Sequence, residues 1–208
     1  SEMLKSNPRP GEDVIEEIKS LKSDKIIFFD PNFFYPKEYS LKLMKEMEKL
    51  KIKWAGQGTL NMAKDKDLLT AMKKSGCEII LIGFESLDTD NLKQMNKAVN
   101  IMEAERDELV QRIHNTGIVI YATFVFGYDN DTQNTIKKAV EFSKKQNFYT
   151  AAFNHLLPFP GTKLYDRLKS DNRLLYDKWW LEENYNYGEL AFKPKQMSPE
   201  ELSKACQN

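Results

Sequence analysis

The chain has 208 residues, of which 41% are hydrophobic and 30% charged, and its 31 basic and 31 acidic side chains give a formal net charge of zero. This hydrophobic content excludes a disordered chain, and the charge balance gives no support to nucleic-acid binding driven by bulk charge. Charged residues interrupt the apolar stretches, so we predict no membrane span and no signal peptide. The two cysteines, Cys77 and Cys206, match no metal-ligand spacing, which predicts a reduced, cytoplasmic protein.

Helices and strands are predicted to alternate along the chain. Short apolar runs predict strands over residues 25–30, 53–58, 78–84, 118–126 and 150–156. Apolar residues at helical spacing predict helices over 12–22, 37–50, 65–75 and 103–116. A further helix is predicted to be capped by Asp131 or Thr132 and to end at about 146, and a short one starts near 162. A long loop is predicted over 86–102. Units of one strand and one helix, about 30 residues long, indicate a parallel sheet with right-handed crossovers.

The predicted fold class is α/β, a partial (β/α) TIM-like barrel in which an open arc of about five parallel strands carries outer helices. No glycine-rich phosphate fingerprint follows any strand, which weighs against a dinucleotide-binding fold. We expect residues 1–169 to form this partial barrel and residues 170–208 to form a loop-rich extension that packs across one end of the sheet. The extension is rich in aromatic residues, namely Trp179, Trp180, Tyr185, Tyr187 and Phe192.

The run Glu78–Ser86 is the stretch on which the rest of this prediction depends. Its apolar residues form a nearly continuous run, typical of a strand buried on both faces, and they end at Glu85. Parallel α/β folds bind ligands at the carboxyl ends of their strands. Glu85 is therefore either a residue that contacts a ligand or a solvated cap.

Polar side chains follow all five predicted strands. Asp and Asn also favour turns, but five such positions predict a polar edge on an apolar sheet. These residues are Asp30 and Asn32, then Gln57, then Glu85 and Ser86, then Tyr128 and Asp129, and finally Asn154 and His155.

Several stretches, in this order and spacing, resemble radical S-adenosylmethionine (SAM) enzymes, specifically the branch in which a cobalamin-binding domain precedes the barrel. The resemblance implies reductive cleavage of SAM at a [4Fe–4S] cluster, followed by radical methylation or rearrangement of a small-molecule or lipid-like substrate. It also implies a reductant protein as a partner. The matching stretches are 9–21, 28–34, 82–100, 117–132, 156–168 and 192–202.

The family's first strand and its CxxxCxxC motif have no counterpart in this sequence. We expect them upstream of Ser1, so that this chain is a fragment of a larger radical SAM enzyme and is inactive by itself. The [4Fe–4S] cluster, and cobalamin in this branch, would then belong to the complete protein, with no metal ligands in this chain. Cys77 is expected to be a small buried residue at the head of its strand.

The resemblance also implies cofactor-binding residues. Asp30 and Asn32 match the stretch that contacts the methionine amino group, although an Asx-turn is the alternative for them. Glu85 matches the strand that contacts the ribose or the amino acid moiety of SAM. Lys97 matches a basic position that pairs with the methionine carboxylate, or it is a plain surface lysine. Gly127 matches the position beside the adenine, or it is a turn glycine.

Two further polar residues complete the candidate site. Gln57, at the end of the second strand, is included among the cofactor-binding residues. His155 is a candidate for acid–base chemistry or substrate contact, or a polar residue with its hydrogen bonds satisfied.

Two other interpretations belong to different functional classes. A metal-dependent barrel enzyme would use Asp30, Glu85 and His155 as ligands of a divalent ion. A non-catalytic interaction domain would use the same fold only to bind a partner.

Overall fold

The sheet has five strands, in the spatial order β1-β2-β3-β4-β5. The computed structural model describes residues 7–94, 103–186 and 188–207. β1 pairs in parallel with β2, and β2 pairs in parallel with β3. The predicted class, a partial (β/α) barrel of five parallel strands, is confirmed. The strands are β1 (Lys25–Ile27), β2 (Lys53–Gly58), β3 (Cys77–Glu85), β4 (Val119–Phe126) and β5 (Thr150–His155).

Helices precede the first strand, lie between successive strands and follow the last one. Two 3₁₀ segments, Leu60–Lys64 and Trp179–Leu181, accompany them. None of the helices in the described ranges is long and apolar enough to cross a membrane. The α-helices are α1 (Gly11–Ser20), α2 (Lys37–Glu48), α3 (Lys66–Lys74), α4 (Thr89–Gln94), α5 (Glu103–His114), α6 (Gln133–Lys145), α7 (Lys163–Ser170) and α8 (Pro199–Gln207).

Some element boundaries differ from the prediction. β1 ends at Ile27 rather than at Asp30, because residues 29–32 leave the ladder before the backbone N–H of Phe33 donates to Gln57 O at 3.0 Å. α4 occupies part of the predicted loop, and the carboxylate of Asp88 caps it by accepting from the backbone N–H groups of Asp90 and Asn91. α8 was not predicted either.

The prediction that β3 is buried on both faces is wrong for one face. Ile80 and Ile82 are fully buried, whereas Ile79 and Leu81, which point to the other face, are half-buried. Successive side chains of a strand point to opposite faces, so this alternation means that only one face of β3 is fully covered.

The described residues form two compact units. The first comprises residues 7–83, 103–122 and 146–150. At its core, the ring of Trp54 packs against Phe28 and Phe33, and its indole N–H donates to Ser75 Oγ at 3.1 Å. Cys77 is 2% exposed, which confirms its prediction as a buried residue.

The second unit comprises residues 84–94, 123–145, 151–186 and 188–207, and therefore contains the carboxyl ends of β3, β4 and β5. Phe124 of β4 stacks on Phe84 of β3 at 5.6 Å and on Phe153 of β5 at 5.4 Å between ring centroids. This aromatic row joins the last residues of the three strands. The polar residues that follow these strands consequently start from a rigid base.

Candidate functional site at the carboxyl ends of the strands

β3 ends in an unusual backbone conformation at Glu85. This residue has φ 62°, and the N–H of Ser86 donates to Phe84 O at 2.8 Å across it. A three-residue turn with a positive φ at its centre is rare and strained, and it costs conformational free energy for any residue other than glycine. Strain of this kind clusters at functional sites, so the conformation of Glu85 favours the ligand-contacting interpretation over a simple cap.

Asp131 organises the turn that follows β4. One carboxylate oxygen, Oδ2, accepts from the N–H groups of Gly127 at 2.8 Å and Tyr128 at 2.9 Å, while Oδ1 accepts from Asn91 Nδ2 at 2.7 Å. We call these four residues the Asp131 network. Because Asn91 belongs to α4, which follows β3, the network joins the segments after two neighbouring strands.

Burial dominates the electrostatics of this network. Asp131 is 1% exposed, and burial raises the pKa of its carboxyl to about 6, although the hydrogen bonds from Tyr128, Gly127 and Asn91 act to lower it. Burial also raises the pKa of the Tyr128 hydroxyl to about 12, and the negative charges of Glu85 and Asp131 add to that rise. Glu85 and the turn after β4 are thus close enough to interact electrostatically.

The predicted capping role of Asp131 is wrong, and the alternative capping residue, Thr132, is confirmed. α6 begins at Gln133, and Thr132 Oγ1 accepts from the N–H of Thr135 at 3.3 Å. The hydroxyl of Thr135 in turn accepts from the N–H of Thr132 at 3.2 Å, which completes a reciprocal cap. The carboxylate of Asp131 is therefore available to accept hydrogen bonds from the N–H groups of Gly127 and Tyr128, which precede it in the turn.

Gly127 lies against the C-terminal extension. Its φ is 108°, and a Cβ built there would lie 2.7 Å from Phe192 Cζ and 3.3 Å from Leu202 Cδ2. A glycine is required here because both the backbone conformation and the close approach of the Phe192 ring exclude a side chain. Its proposed place beside an adenine stays a prediction.

A cluster of cations surrounds Asp129, two residues further along the turn. Arg173 Nη1 donates to Asp129 Oδ1 at 2.7 Å, while Lys195 Nζ lies 2.9 Å and Arg167 Nη1 3.7 Å from Oδ2. Burial acts to raise the pKa of the Asp129 carboxyl, but hydrogen bonds from Arg173 and Lys195 and the charge of Arg167 lower it below its ordinary value. We call these four residues the Asp129 cluster.

His155 closes β5, and both of its ring nitrogens face backbone carbonyls. Nε2 lies 2.8 Å from Gly188 O, and Nδ1 lies 3.1 Å from Leu156 O. The ring borders a cavity of about 300 Å³ that Cys206 also lines. A neutral imidazole donates through only one ring nitrogen, so one of these two carbonyl contacts is its hydrogen bond. That bond favours the interpretation of a polar residue that hydrogen-bonds within the fold.

The first unit contains the other predicted residues, Asp30, Asn32 and Gln57. Asn32 Oδ1 accepts from the N–H of Phe34 at 3.3 Å, which is the predicted Asx-turn. Asp30 is exposed and, with Asn32, lines a cavity of about 440 Å³ that Arg9 also lines. Gln57 is half-buried. Lys97 and Tyr187 lie outside the described residues.

The residues present do not fit a metal or an iron–sulfur cluster. Within the three described ranges, no group of three or more His, Cys, Asp or Glu side chains is placed to hold a metal ion, which leaves the metal-dependent alternative unsupported. A [4Fe–4S] cluster needs several thiolates, whereas this sequence has two cysteines. Burial raises the pKa of the Cys77 thiol, and burial raises that of Cys206 to about 11.

Sequence reasoning missed the parts of this site that depend on distant residues. Asn91 lay in a predicted loop, and Arg173 and Lys195 lie in the extension, where no periodicity marked them. The only available signal was the pair of carboxylates in the segment Gly127–Asp131, which resembled an ordinary turn and helix start.

A family model and two curated relatives show which known proteins this chain resembles. The family model for the radical SAM superfamily matches residues 2–143. The chain is 30% identical over 181 residues to bacteriochlorophyllide d C-12(1)-methyltransferase from Chlorobaculum tepidum, covering 87% of this chain and 38% of that protein. It is 29% identical over 158 residues to hopanoid C-2 methylase from Rhodopseudomonas palustris, covering 73% and 30%.

A solved structure shares the fold. The radical SAM methyltransferase TsrM from Kitasatospora setae, with cobalamin and a [4Fe–4S] cluster bound, superimposes with a TM-score of 0.69 at 16% identity, covering 95% of this chain and 41% of that one. The chain therefore spans well under half the length of each of these proteins.

Proposed function

The chain belongs to the radical SAM superfamily, and from this premise we propose that it supplies SAM-contacting strands of a radical SAM methyltransferase. Members of this family are enzymes that use SAM and a [4Fe–4S] cluster and need a reductant and a small-molecule substrate. Methyl transfer is supported by the two curated relatives, both of which are methylating enzymes by name.

The complete protein is proposed to bind cobalamin, with support from the likeness to TsrM. The relatives are named for a bacteriochlorophyllide and a hopanoid, which supports an apolar, lipid-like small molecule as the substrate class. A specific reductant protein and a cytoplasmic location are also proposals, the latter supported by the two free cysteines.

Glu85 carries this proposal. It is half-buried at the carboxyl end of β3, in a strained conformation that the fold maintains, and a carboxylate there can accept hydrogen bonds from both ribose hydroxyls of SAM. When bound to its cluster, SAM supplies the radical and the methyl group; the part assigned to Glu85 is to bind and orient the nucleoside. We further propose that Gly127 lies beside the adenine.

The other predicted contacts are proposals of the same kind. Asp30 and Asn32 would contact the methionine amino group, although Asn32 already uses its side-chain oxygen within its own turn. Gln57 would contact the cofactor, Lys97 would pair with the methionine carboxylate, and His155 would contact the substrate.

The test is a titration of ¹⁵N-labelled protein with SAM, followed by NMR. We expect saturable shifts of the Glu85 and Ser86 amides, and a Glu85→Gln variant should bind SAM about tenfold more weakly or worse, since a hydrogen bond to a charged group contributes about 1.5–3 kcal/mol. Glu78→Gln is the matched control, because Glu78 lies near the opposite end of the same strand, exposed and paired with Lys53.

Glu78→Gln should bind SAM like the unaltered protein. Equal affinities for all three proteins would contradict the role of Glu85, and an absence of saturable binding by the unaltered protein would contradict the proposed function itself.

A further inference from the structure

The Asp129 cluster has more positive charge than its single carboxylate can balance. Arg167, Arg173 and Lys195 converge on Asp129, so three cations surround one anion. Like charges placed together repel one another unless an anion compensates them, and an excess of one sign in a pocket attracts ligands of the other sign. The cluster as it stands is therefore electrostatically complementary to a further anion.

The hydrogen-bonding groups of the cluster show the same imbalance. Arg173, 9% exposed, donates through Nε to Lys193 O at 2.8 Å and through Nη1 to Asp129, but its Nη2 is buried and has no hydrogen-bond partner. Arg167 lies 3.7 Å from the carboxylate, beyond hydrogen-bond distance. Both guanidinium groups thus have donors to spare, and a guanidinium accepts nothing in return.

Two of the cations can be reached from solvent. The side chains of Arg167 and Lys195 are 41% and 49% exposed, against 11% for Arg173 and 15% for Asp129. An incoming group would therefore contact Arg167 and Lys195 first, with Arg173 as the buried charge behind them. The cluster follows β4 at its carboxyl end, the end at which parallel (β/α) folds bind ligands.

We propose that the Asp129 cluster is an oxyanion-binding site that takes a carboxylate or phosphate group of a ligand through Arg167 and Lys195. Planar guanidinium groups bind both kinds of oxyanion through charge-assisted hydrogen bonds. A purely structural role, in which the cations tie the extension to the turn after β4, is met by Arg173 and Lys195, and it does not require Arg167, which lies 3.7 Å from the carboxylate. None of its residues is among the proposed contacts with SAM, and its test uses no SAM.

The test is a pair of NMR titrations of ¹⁵N-labelled protein, one with inorganic phosphate and one with acetate, both at constant ionic strength set with sodium chloride. We expect saturable shifts of amides in the turn after β4 and around Lys195. Arg167→Gln and Lys195→Gln should each weaken binding about tenfold or more, because each removes a charge-assisted contact. Lys169→Gln is the matched control, since Lys169 lies in the same helix as Arg167 but pairs with Asp177 at 2.8 Å.

Tighter binding of phosphate would identify a phosphorylated ligand, and tighter binding of acetate would identify a carboxylate ligand. The proposal is overturned if neither ion gives saturable shifts, or if both Gln variants, folded by circular dichroism, bind as tightly as Lys169→Gln. In either of those cases the cluster only ties the extension to the turn.

Discussion

Asp131 is a carboxylic acid whose protonation is coupled to folding. Its pKa is raised from an ordinary 3.8 to about 6 in the folded protein. The folded state therefore holds the proton more tightly than the unfolded state, so this group stabilises the fold below about pH 4 and its contribution is lost as the pH rises through about 6. The full difference corresponds to on the order of 3 kcal/mol.

We expect Asp131→Asn to remove this pH dependence while leaving the fold intact. An asparagine oxygen can still accept from the N–H groups of Gly127 and Tyr128. Its NH2 group replaces the oxygen that accepts from Asn91 Nδ2, so the Asn91 amide turns over and presents Oδ1, otherwise buried without a partner, as the acceptor. Relative to this variant, the unaltered protein should lose about 1 kcal/mol of unfolding free energy between about pH 5 and pH 7.5. Urea unfolding of both proteins at the two pH values measures this difference in unfolding free energy.

Asp131→Ala is the comparison variant, and it should lose about 3 kcal/mol, because two buried N–H groups and the Asn91 amide lose their acceptor. The same pH profile for Asp131→Asn as for the unaltered protein would show that another group causes the dependence.

Individual residues show how far the sequence alone could lead. The positions of Glu85 and Asp129 after their strands followed from the strand pattern, because a buried strand carries charge only where it emerges. The left-handed conformation of Glu85 did not follow, because glutamate has no preference for it. The inward orientation of Asp131 did not follow either, because it depends on Asn91, which is remote in the chain.

At the scale of elements, the turn after β4 and the extension depend on each other. We expect Gly127→Ala to destabilise the protein, through the positive φ and through the contact of the new methyl group with Phe192. Gly161→Ala is the matched control: its φ is 77°, but nothing lies within 4 Å of a Cβ built there.

The difference between the two variants therefore reports the steric contact together with the larger positive φ of Gly127, and it should be about 1–3 kcal/mol in urea unfolding. Equal losses for both variants would mean that the ring of Phe192 moves aside at no cost.

The elements themselves were predictable to different degrees. β4 and α3 followed from their apolar periodicity. Gly76 and Gly117 come directly after the predicted helices 65–75 and 103–116, where a glycine is a typical helix stop, and α3 and α5 do end just before them. α4 did not follow, because it has only six residues in a polar segment. α8 does carry a sequence signal, since Ser198 and Glu201 form a reciprocal cap at its start. The boundary predicted at residues 169 and 170 stays a prediction. The packing of Phe192 on Gly127 could not be predicted, because no local pattern indicates which distant turn an aromatic residue will cover.

At the scale of the whole molecule, we expect this 208-residue chain not to assemble a stoichiometric cluster. Thiolates hold iron–sulfur clusters, and both thiols here have raised pKa values, Cys77 within a strand and Cys206 within α8. The protein is reconstituted anaerobically with iron and sulfide and then desalted, and metal analysis and EPR measure the iron bound per chain. Cys206→Ser is the control and should retain the same trace of iron. About four irons per chain, lost in that variant, would contradict the expectation.

The Asp131 network and the contacts that the extension makes with the turn after β4 form at different times as the chain leaves the ribosome. The Asp131 network needs no residue after position 131, so it can form before the extension has emerged. Phe192, Leu202 and Lys195 come at the far end of the extension, and until they emerge the Gly127 surface and Asp129 lack their cover. The second unit is therefore completed last, and until then the surface that the extension covers stays open to contact with other chains.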